Sequence, residues 1–367
     1  MSGFCVHCRE RRSEGGDCRI CGGRILPLNL EGDSLFLAGK YEFIEYLGKG
    51  AKGVVLRFRH RVTGKTWAVK YLFHDVSEKD QELFLNEVRC LGALNVPFVV
   101  GIADCDRDAH GSLYYIMEDF EGGSLADRLR VGSLDVEGFF AVFHQAIQGL
   151  AAIHSAGITH CDIKPSNILL SGRDGPLRVA LSDFGISRRG EGRSGVLAGT
   201  PPYMAPQQFL GDDAPDNDVY SMGVTMWESL MGRPLFECTD VEEYERKHNT
   251  TTIDLDSVRR VGPHGPDLAR LLGRCLAKDR NRRYAHATEL HNDFDRLYVR
   301  YRERRQRSRL DRILGRVGVA LSYPAFVVGA LSLLPLLTGQ SDKPALFVGL
   351  STGMLSMGLV LRWLGHR

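Results

Sequence analysis

Residues 47–55 read LGKGAKGVV, in which Gly48, Gly50 and Gly53 form a GxGxxG pattern. The pattern alone also suits a dinucleotide-binding fold, but in that fold a helix follows the glycines and an acidic residue comes about 20 positions later. Here the chain continues as VVLRFRHRVTGKTWAVKYL, which is typical of a strand, a turn and another strand. The glycines therefore lie between two strands, and the strand after them leads into a further strand that delivers Lys70.

The periodicity of apolar residues predicts two helices downstream. In SEKDQELFLNEVRCLGAL, the residues Leu83, Glu87, Val88 and Leu91 fall on one face at steps of three and four. The stretch VEGFFAVFHQAIQGLAAIHSAG has the same period and closes on a glycine that suits a helix C-terminus. A strand-rich part thus precedes a helix-rich part, which indicates an α+β protein.

Polar residues at fixed spacings form further motifs in the helix-rich part. HCDIKPSN contains Asp162, Lys164 and Asn167, and SDFG contains Asp183. Any one of these motifs is common by chance, but here they follow the glycine pattern and the WAVK lysine in a single order. Together they resemble the serine/threonine protein kinases of the eukaryotic (Hanks) type that bacteria anchor in their membranes. The resemblance covers the chain from about residue 40 to residue 296.

This resemblance implies a fold, a reaction and a domain organisation. The fold is α+β, a two-lobe protein kinase fold with a β-rich N-lobe (residues 40–118) and an α-rich C-lobe (residues 119–295), preceded by a linker (residues 27–39). The reaction is transfer of the γ-phosphate of ATP to Ser or Thr of protein substrates, the kinase itself included. The lysine two positions after the aspartate of HCDIKPSN is typical of the serine/threonine branch of the family.

The same resemblance assigns the residues of the reacting centre. Lys70 would hold the α- and β-phosphates and needs an acidic partner, which by position is Glu87. Asp162 would accept or orient the proton of the acceptor hydroxyl, with Thr200 nearby. Lys164 would steady the phosphate during transfer. Lys70, Glu87, Asp162 and Lys164 are the predicted catalytic set.

A nucleotide pocket and a Mg²⁺ (or Mn²⁺) site are also implied. Asn167 and Asp183 would bind the metal ions, because oxygen ligands must converge where charge builds up on the phosphates. Asp218 would brace the backbone of the HCDIKPSN loop. Some of the pocket positions are also consistent with plain core residues: Val55, Ala68 and Leu169. The full set of implied ATP-binding positions is Leu47, Gly48, Gly50, Gly53, Val55, Ala68, Lys70, Met117, Glu118, Phe120 and Leu169.

Three positions depart from the kinase pattern. Cys161 replaces the arginine that binds an activation-loop phosphate in many relatives, so the chain is of the non-RD type. We expect it not to require phosphorylation of its one mid-loop acceptor, Ser194, and we interpret the thiol as a small buried side chain rather than a redox sensor. Gln207 replaces the glutamate that would pair with Arg283, so a neutral-to-charged contact replaces a charge pair. Arg280 replaces a proline, a change that we expect to be minor.

The N-terminal segment, residues 1–26, resembles a zinc ribbon. Cys5, Cys8, Cys18 and Cys21 form two CxxC pairs, and four thiolates complete a tetrahedral shell, so the zinc would be structural. A segment this short cannot bury a core, and the metal would have to supply folding energy on the order of 10 kcal/mol. A disulfide switch is the alternative interpretation. The other cysteines are scattered singly, which fits a reducing compartment.

The C-terminal region has the pattern of a membrane anchor. Residues 317–337 and 345–361 are apolar runs separated by the polar turn TGQSDKP. The first has about the twenty residues needed to cross a hydrocarbon core of ~30 Å, and the second is near the lower limit of about seventeen. We therefore predict a transmembrane hairpin over residues 317–361. An arginine-rich juxtamembrane segment, residues 296–316, precedes it and would also attract anionic lipid. Because positive residues stay inside, both termini and the kinase domain are expected in the cytoplasm, at the bacterial inner membrane.

Two other classes of function were weighed against an active kinase. The first is a pseudokinase-like, ATP-binding membrane scaffold that acts through its zinc ribbon; the retention of Lys70, Glu87, Asp162, Asn167 and Asp183 argues against it. The second is a nucleic-acid-binding zinc protein, which is disfavoured because the ribbon and the arginine-rich segment lie at opposite ends of the chain and the arginine-rich segment adjoins the predicted membrane hairpin. No nucleic-acid partner is expected. A homodimer for trans-autophosphorylation is left open.

Overall fold

The computed structural model describes most of the region between residues 36 and 307 and four short strands before it. It divides into two compact units, residues 1–295 and residues 296–367, and in the second unit the described residues are helical. The described residues are 3–5, 10–12, 16–17, 24–26, 36–50, 53–73, 76–94, 96–108, 111–172, 176–184 and 199–307.

The N-terminal strands form a small antiparallel sheet of their own. Their order across the sheet places the first strand next to the fourth, and Cys5 is opposite both Glu10 and Ile25. The strands are β1 (Gly3–Cys5), β2 (Glu10–Arg12), β3 (Gly16–Asp17) and β4 (Arg24–Leu26).

A six-stranded antiparallel sheet forms the N-lobe. The strands β5 (Phe36–Leu37), β6 (Tyr41–Lys49), β7 (Gly53–His60), β8 (Thr66–Leu72), β9 (Ile102–Arg107) and β10 (Leu113–Glu118) are arranged in the order β5-β6-β7-β8-β10-β9. Strand β5 falls inside the segment interpreted as a linker, and its Leu37 is buried in the core of this sheet. The sheet therefore begins before residue 40.

Helix α1 (Glu78–Ala93) is the helix that the apolar period predicts. Ser77 caps its N-terminus by accepting a hydrogen bond from the backbone N–H of Asp80, which is a favourable arrangement at this position. Phe84, Glu87 and Leu91 are its buried residues, at steps of three and four. One of the three is a glutamate, so the inward face of α1 carries a charge that needs a partner within the protein.

The C-lobe is helical around two buried helices. Phe139, Phe140, Phe143 and Phe294 are fully buried and contact one another through their rings, which fixes α3 at the centre. Its elements are α2 (Leu125–Leu129), α3 (Val136–Ser155), β11 (Ile168–Ser171), β12 (Arg178–Leu181), α4 (Pro215–Met231), α5 (Val241–Thr250), α6 (Asp256–Arg259), α7 (Gly265–Cys275) and α8 (residues 287–307). Strands β11 and β12 pair as an antiparallel hairpin beside the lobe junction.

Within the described part of the chain, α3 is the one helix that is long and apolar enough to cross a membrane. Length and composition alone are weak support for a span, because central helices of protein cores pass the same test, and half of the apolar window of α3 is buried within the protein. The runs predicted to form the transmembrane hairpin, residues 317–337 and 345–361, lie outside the described residues.

Candidate active site

Strand β8 and helix α1 bring Lys70 and Glu87 together. The Nζ atom of Lys70 lies 3.0 Å from Oε1 of Glu87 and 2.6 Å from Oδ1 of Asp183. The hydroxyl of Tyr115 donates a second hydrogen bond to Glu87 Oε1, at 3.1 Å. Glu87 is only 4% exposed, so it is not a solvated surface residue. The lysine therefore contacts a carboxylate from α1 and another from the SDFG motif at once.

Charge and burial together set the protonation states of this cluster. Burial lowers the pKa of Lys70, but the carboxylates of Asp183 and Glu87 outweigh it and raise the pKa well above its usual value. For Asp183, burial raises the pKa, and the nearby ammonium of Lys70 lowers it further than that, so the pKa ends below its usual value. At neutral pH the lysine is thus a cation and Asp183 an anion, the charges needed to hold phosphate and metal respectively.

Asp162, Lys164 and Thr200 close a triangle of hydrogen bonds. The hydroxyl of Thr200 donates to Oδ1 of Asp162 at 2.7 Å, and the ammonium of Lys164 lies 2.8 Å from Oδ2 of the same carboxylate. Lys164 also donates to the hydroxyl of Thr200, at 2.7 Å. Because both oxygens of Asp162 are held, the carboxylate has a fixed orientation, which is what a residue that aligns an acceptor hydroxyl requires.

Asn167 is oriented by the backbone of the same site. Its Nδ2 donates to the carbonyl oxygen of Asp162 at 2.8 Å and lies 3.4 Å from that of Asp183. Its Oδ1 accepts a hydrogen bond from Ser166 at 3.3 Å, which leaves a lone pair for a cation. The residues therefore fit Mg²⁺, which takes one or two protein oxygens together with phosphates and water. No cluster of three or more His, Cys, Asp or Glu side chains among the described residues forms a metal site by itself.

Asp218 holds the backbone of the HCDIKPSN loop, as its position predicted. Its Oδ2 accepts hydrogen bonds from the N–H of His160 at 2.7 Å and from Nε2 of His154 at 2.9 Å, and its Oδ1 accepts from the N–H of Cys161 at 2.8 Å. The other ring nitrogen of His154 accepts from the N–H of Ala287, so His154 carries its proton on Nε2. A fully buried carboxylate is thus satisfied by three donors.

Two residues of the site have left-handed backbone conformations. Cys161 has a φ of 66° and Asp183 a φ of 53°, a region in which side chains other than glycine are strained. The thiol of Cys161 is 3% exposed and lies 3.8 Å from the carbonyl oxygen of Thr159, in keeping with the interpretation as a small buried side chain. Next to it, the ring of His160 stacks on that of Phe184, with centroids 4.6 Å apart. The hydrogen bond from the N–H of Cys161 to Asp218 and the stacking of His160 on Phe184 stabilise the strained backbone of this loop.

The predicted adenine pocket is one apolar cluster made by both lobes. Val55, Ala68, Met117 and Phe120 from the N-lobe and the lobe junction pack together with Leu169 of β11. Val55, Ala68 and Leu169, which the sequence did not assign to either the pocket or the core, thus belong to a single apolar cluster at the junction of the lobes. Leu47 is 39% exposed, and Glu118 ends strand β10.

The glycine hairpin requires a glycine at one position for a steric reason. A Cβ atom at Gly53 would lie 2.2 Å from the carbonyl oxygen of Tyr71 on β8, whereas a Cβ atom at Gly48 would meet no atom of the described residues within 4 Å. The N–H of Gly50 donates to the carbonyl oxygen of Gly53 at 2.9 Å and closes the hairpin. Gly53 therefore allows β7 to approach the end of β8 closely, opposite Leu72 and two residues beyond Lys70.

Charged residues that the sequence did not single out join the two lobes. Arg57 of β7 pairs with Asp119, at 2.8 Å, and with Glu45 of β6. Arg178 of β12 pairs with Glu118, at 2.7 Å. Alternation along β7 puts Arg57 on the same face as Val55, but the sequence offers no signal for its partner Asp119. These pairs tie the glycine hairpin and the C-lobe to the segment that links the lobes.

Arg283 contacts Gln207 as the motif comparison predicted, with its Nη2 donating to Oε1 at 2.9 Å. Arg280, which was expected to be a minor change, has acidic partners. Arg280 makes ion pairs with Asp216, at 2.5 Å, and with Asp212, at 2.7 Å. A proline would have offered no charge there, so this substitution adds two contacts.

A glycine hairpin, an apolar cluster at the lobe junction, a lysine held by two carboxylates and a braced loop with Asp162 and Asn167 are the parts that an ATP-dependent phosphotransferase site requires. A family model described as protein kinase domain matches residues 41–294. This match covers well over half of the chain, and the chain therefore belongs to the protein kinase family. The protein kinase family predicted from the motifs is confirmed.

Several serine/threonine kinases of bacteria are similar to this chain. It is 34% identical over 270 residues to the serine/threonine-protein kinase pkn2 of Myxococcus xanthus, a match that covers 70% of this chain and 32% of that relative. It is 33% identical to the DNA damage-responsive serine/threonine-protein kinase RqkA of Deinococcus radiodurans, over 67% of this chain and 38% of the relative. For PknD of Mycobacterium tuberculosis the identity is 29%, over 69% and 39%. The chain thus spans about a third of the length of these relatives.

Proposed function

We propose that the protein transfers the γ-phosphate of ATP to Ser and Thr hydroxyls of proteins, including its own. The observation that carries this proposal is the simultaneous contact of Lys70 with Glu87 and Asp183, beside an Asp162 held by Lys164 and Thr200. Both the lysine–glutamate pair and the SDFG aspartate must be in place in an active kinase. A pseudokinase would need to have lost one of these groups.

Each residue has a role that follows from its contacts. When bound, Mg²⁺ and ATP supply the phosphoryl group and neutralise the charge that develops in transfer. Lys70 binds phosphate oxygens, and Glu87 keeps its ammonium pointed into the site. Asp162 orients the acceptor hydroxyl and takes its proton. Lys164, which already contacts Asp162, stabilises the negative charge of the transferred group.

The test is transfer of radiolabelled γ-phosphate to a generic protein substrate and to the chain itself. We expect incorporation by the full-length protein and a fall of at least ~100-fold in the Asp183→Ala variant, because the metal ligand and the partner of Lys70 are lost together. Retention of ATP binding without incorporation by the unaltered protein would favour the scaffold over the enzyme.

Control of this activity is proposed to be of the non-RD type. Cys161 carries no charge, so it offers an activation-loop phosphate no guanidinium. The loop residues 185–198, with Ser194, lie outside the described residues. The proposal rests instead on Cys161, which is 3% exposed and stands where many relatives have the phosphate-binding arginine.

The N-terminal segment is proposed to bind one structural Zn²⁺. Support comes from the register of β1 and β4, which puts Cys5, at the end of β1, opposite Ile25, the second residue of β4. The strand ends from which the two CxxC segments depart thus lie at the same end of one sheet. Cys8, Cys18 and Cys21 lie outside the described residues. Zinc content near one equivalent, lost in a Cys8→Ser, Cys21→Ser double variant, is the expected measurement; no zinc in the unaltered protein would refute the site.

Membrane anchoring at the bacterial inner membrane is likewise a proposal. It rests on the two apolar runs and on the arginines of residues 296–316, with the kinase domain and both termini on the cytoplasmic side. Anionic lipid is the proposed partner of the arginines, and a homodimer in the membrane would permit trans-autophosphorylation. Recovery of the full-length protein in the carbonate-resistant membrane fraction is expected; quantitative release by carbonate would refute the hairpin.

A further inference from the structure

The buried guanidinium of Arg283 contacts the APQQ segment, residues 205–208. Arg283 is 3% exposed, and it reaches Gln207 on one side and Asp216 on the other. Its Nη1 lies 2.9 Å from Oδ2 of Asp216, and its Nη2 donates to Oε1 of Gln207 at 2.9 Å. Because Gln207 is neutral, the negative charge that a buried arginine requires comes from Asp216, near the start of α4.

Asp216 also contacts a second arginine. Its Oδ1 lies 2.5 Å from Nη2 of Arg280, and Nη1 of Arg280 lies 2.7 Å from Oδ2 of Asp212. Two aspartates and two arginines thus alternate in the order Asp212, Arg280, Asp216, Arg283, so that each inner charge has opposite charges on both sides. A balanced chain of this kind offsets the desolvation of its buried members better than a single pair does.

The network leads from α4 to the catalytic loop through two neighbouring glutamines. Gln207 donates to the carbonyl oxygen of Lys278 at 3.1 Å, beside the guanidinium of Arg283. The next residue, Gln208, is 3% exposed. It donates to the carbonyl oxygen of Cys161 at 3.2 Å and accepts from the N–H of Ala205 at 2.8 Å. Cys161 directly precedes Asp162. The position of the APQQ segment therefore affects the backbone next to the residue that orients the acceptor hydroxyl.

We propose that Asp216 is a positioning residue for phosphoryl transfer. It supplies the negative charge that position 207 lacks, and through Arg283 it holds the APQQ segment against the HCDIKPSN loop. Gln207 and Arg280, which look like separate departures in the sequence, are parts of one network with Asp216. The side-chain partners of Asp216 in the described part of the chain are these arginines, so it acts through Arg283 and Gln207. This inference rests on the proposed kinase function.

The test moves the negative charge beside Arg283 from position 216 to position 207 in the full-length protein. Asp216→Asn keeps the shape and removes the charge; we expect kcat to fall about tenfold, the size of one hydrogen bond to a charged group, with KM for ATP within about twofold. Adding Gln207→Glu to this variant returns a carboxylate to Arg283, and kcat should recover to within about threefold of the unaltered protein. Gln207→Glu alone is the matched control, in which we expect no gain, because Arg283 already has an anionic partner.

Thermal unfolding of the same variants separates positioning from stability. We expect Asp216→Asn to lower Tm by about 4 °C or more and the double variant to restore it. If Asp216→Asn is insoluble, recovery of soluble, active protein in the double variant is the supporting result. A kcat for Asp216→Asn equal to that of the unaltered protein, or a folded double variant without recovery, overturns the inference, as does insolubility of both. If the unaltered protein transfers no phosphate, the proposed kinase function is refuted. Recovery of Tm in the double variant would then still test whether Asp216 and position 207 act in one network.

Discussion

Thr200 offers the sharpest single perturbation of the site. Its hydroxyl donates to Asp162 and accepts from Lys164, both at 2.7 Å. Thr200→Val removes this hydroxyl and keeps the branched shape, so the change is confined to those two hydrogen bonds. Thr200→Ser is the matched control, because it retains the hydroxyl and loses only a methyl group.

The magnitude follows from the charges at both ends of the hydroxyl. A hydrogen bond to a charged group contributes about 1.5–3 kcal/mol, and here one partner is a carboxylate and the other an ammonium. The direct contact between Lys164 and Asp162, at 2.8 Å, survives the substitution and limits the loss. We therefore expect a loss equivalent to one such bond, or a fall in kcat of about 10- to 100-fold. Both partners of the hydroxyl belong to the catalytic set and not to the nucleotide pocket, so KM for ATP should stay within about twofold.

The assay is steady-state phosphate transfer to a protein substrate at varied ATP for the unaltered protein, Thr200→Ser and Thr200→Val. The serine variant should keep kcat within about threefold, since its hydroxyl can make the same bonds. A valine variant with the kcat of the serine variant would refute the role of the triangle. A loss that appears in KM for ATP and not in kcat would also refute it, because the hydroxyl would then act on nucleotide binding.

Three further predictions concern other parts of the kinase domain. Gly53→Ala should raise KM for ATP at least about fivefold, because its Cβ would meet the carbonyl oxygen of Tyr71. Gly92→Ala in α1, whose Cβ would meet no described atom within 4 Å, should change KM less than twofold; equal effects in nucleotide titrations would contradict this. Burial, together with the charge of Lys278, lowers the pKa of His248 to about 3. Below pH 6.5 the unfolded chain therefore binds a proton that the folded protein does not. The free energy of unfolding then falls as the pH falls from 6.5 toward 3. At pH 5 this amounts to about 2 kcal/mol relative to pH 7, and denaturant unfolding of His248→Gln should lack that part of the loss; an unchanged difference between the two pH values would contradict it. Ser194→Ala should leave turnover within about twofold in matched transfer assays, and a large fall would show that loop phosphorylation matters.

Local sequence patterns predicted the parts of the protein that are local in the chain. The period around Glu87 predicted α1 and its inward glutamate, and the family order of motifs predicted that Asp162 lies near Thr200. The network of Asp216 and Arg280 was not predicted, because the two residues are 64 positions apart and each reads as an ordinary surface charge. Charge pairs between residues outside the family motifs follow from tertiary packing, which neither periodicity nor motif spacing encodes.

The same reason explains why Arg57 was missed. Strand alternation gives the face on which Arg57 lies but not its partner, and only the folded structure brings Asp119 within 2.8 Å of it. In the sequence, Gln207 and Arg280 are two separate departures from the family pattern. Their meaning depends on a third residue, Asp216, which matches no motif and can be found only from the contacts.

Phosphate transfer and ATP binding measured on one preparation test the central claim most directly. The full-length protein and its Asp162→Asn variant are incubated with radiolabelled ATP and Mg²⁺, and incorporated label is identified by phosphoamino-acid analysis. We predict phosphoserine and phosphothreonine for the unaltered protein. For Asp162→Asn we predict at least ~100-fold less label at similar ATP affinity, because the nucleotide pocket is untouched and the acceptor loses the group that orients it. Equal incorporation by the two proteins, or tight ATP binding without incorporation by either, would contradict the claim that this site is an active kinase.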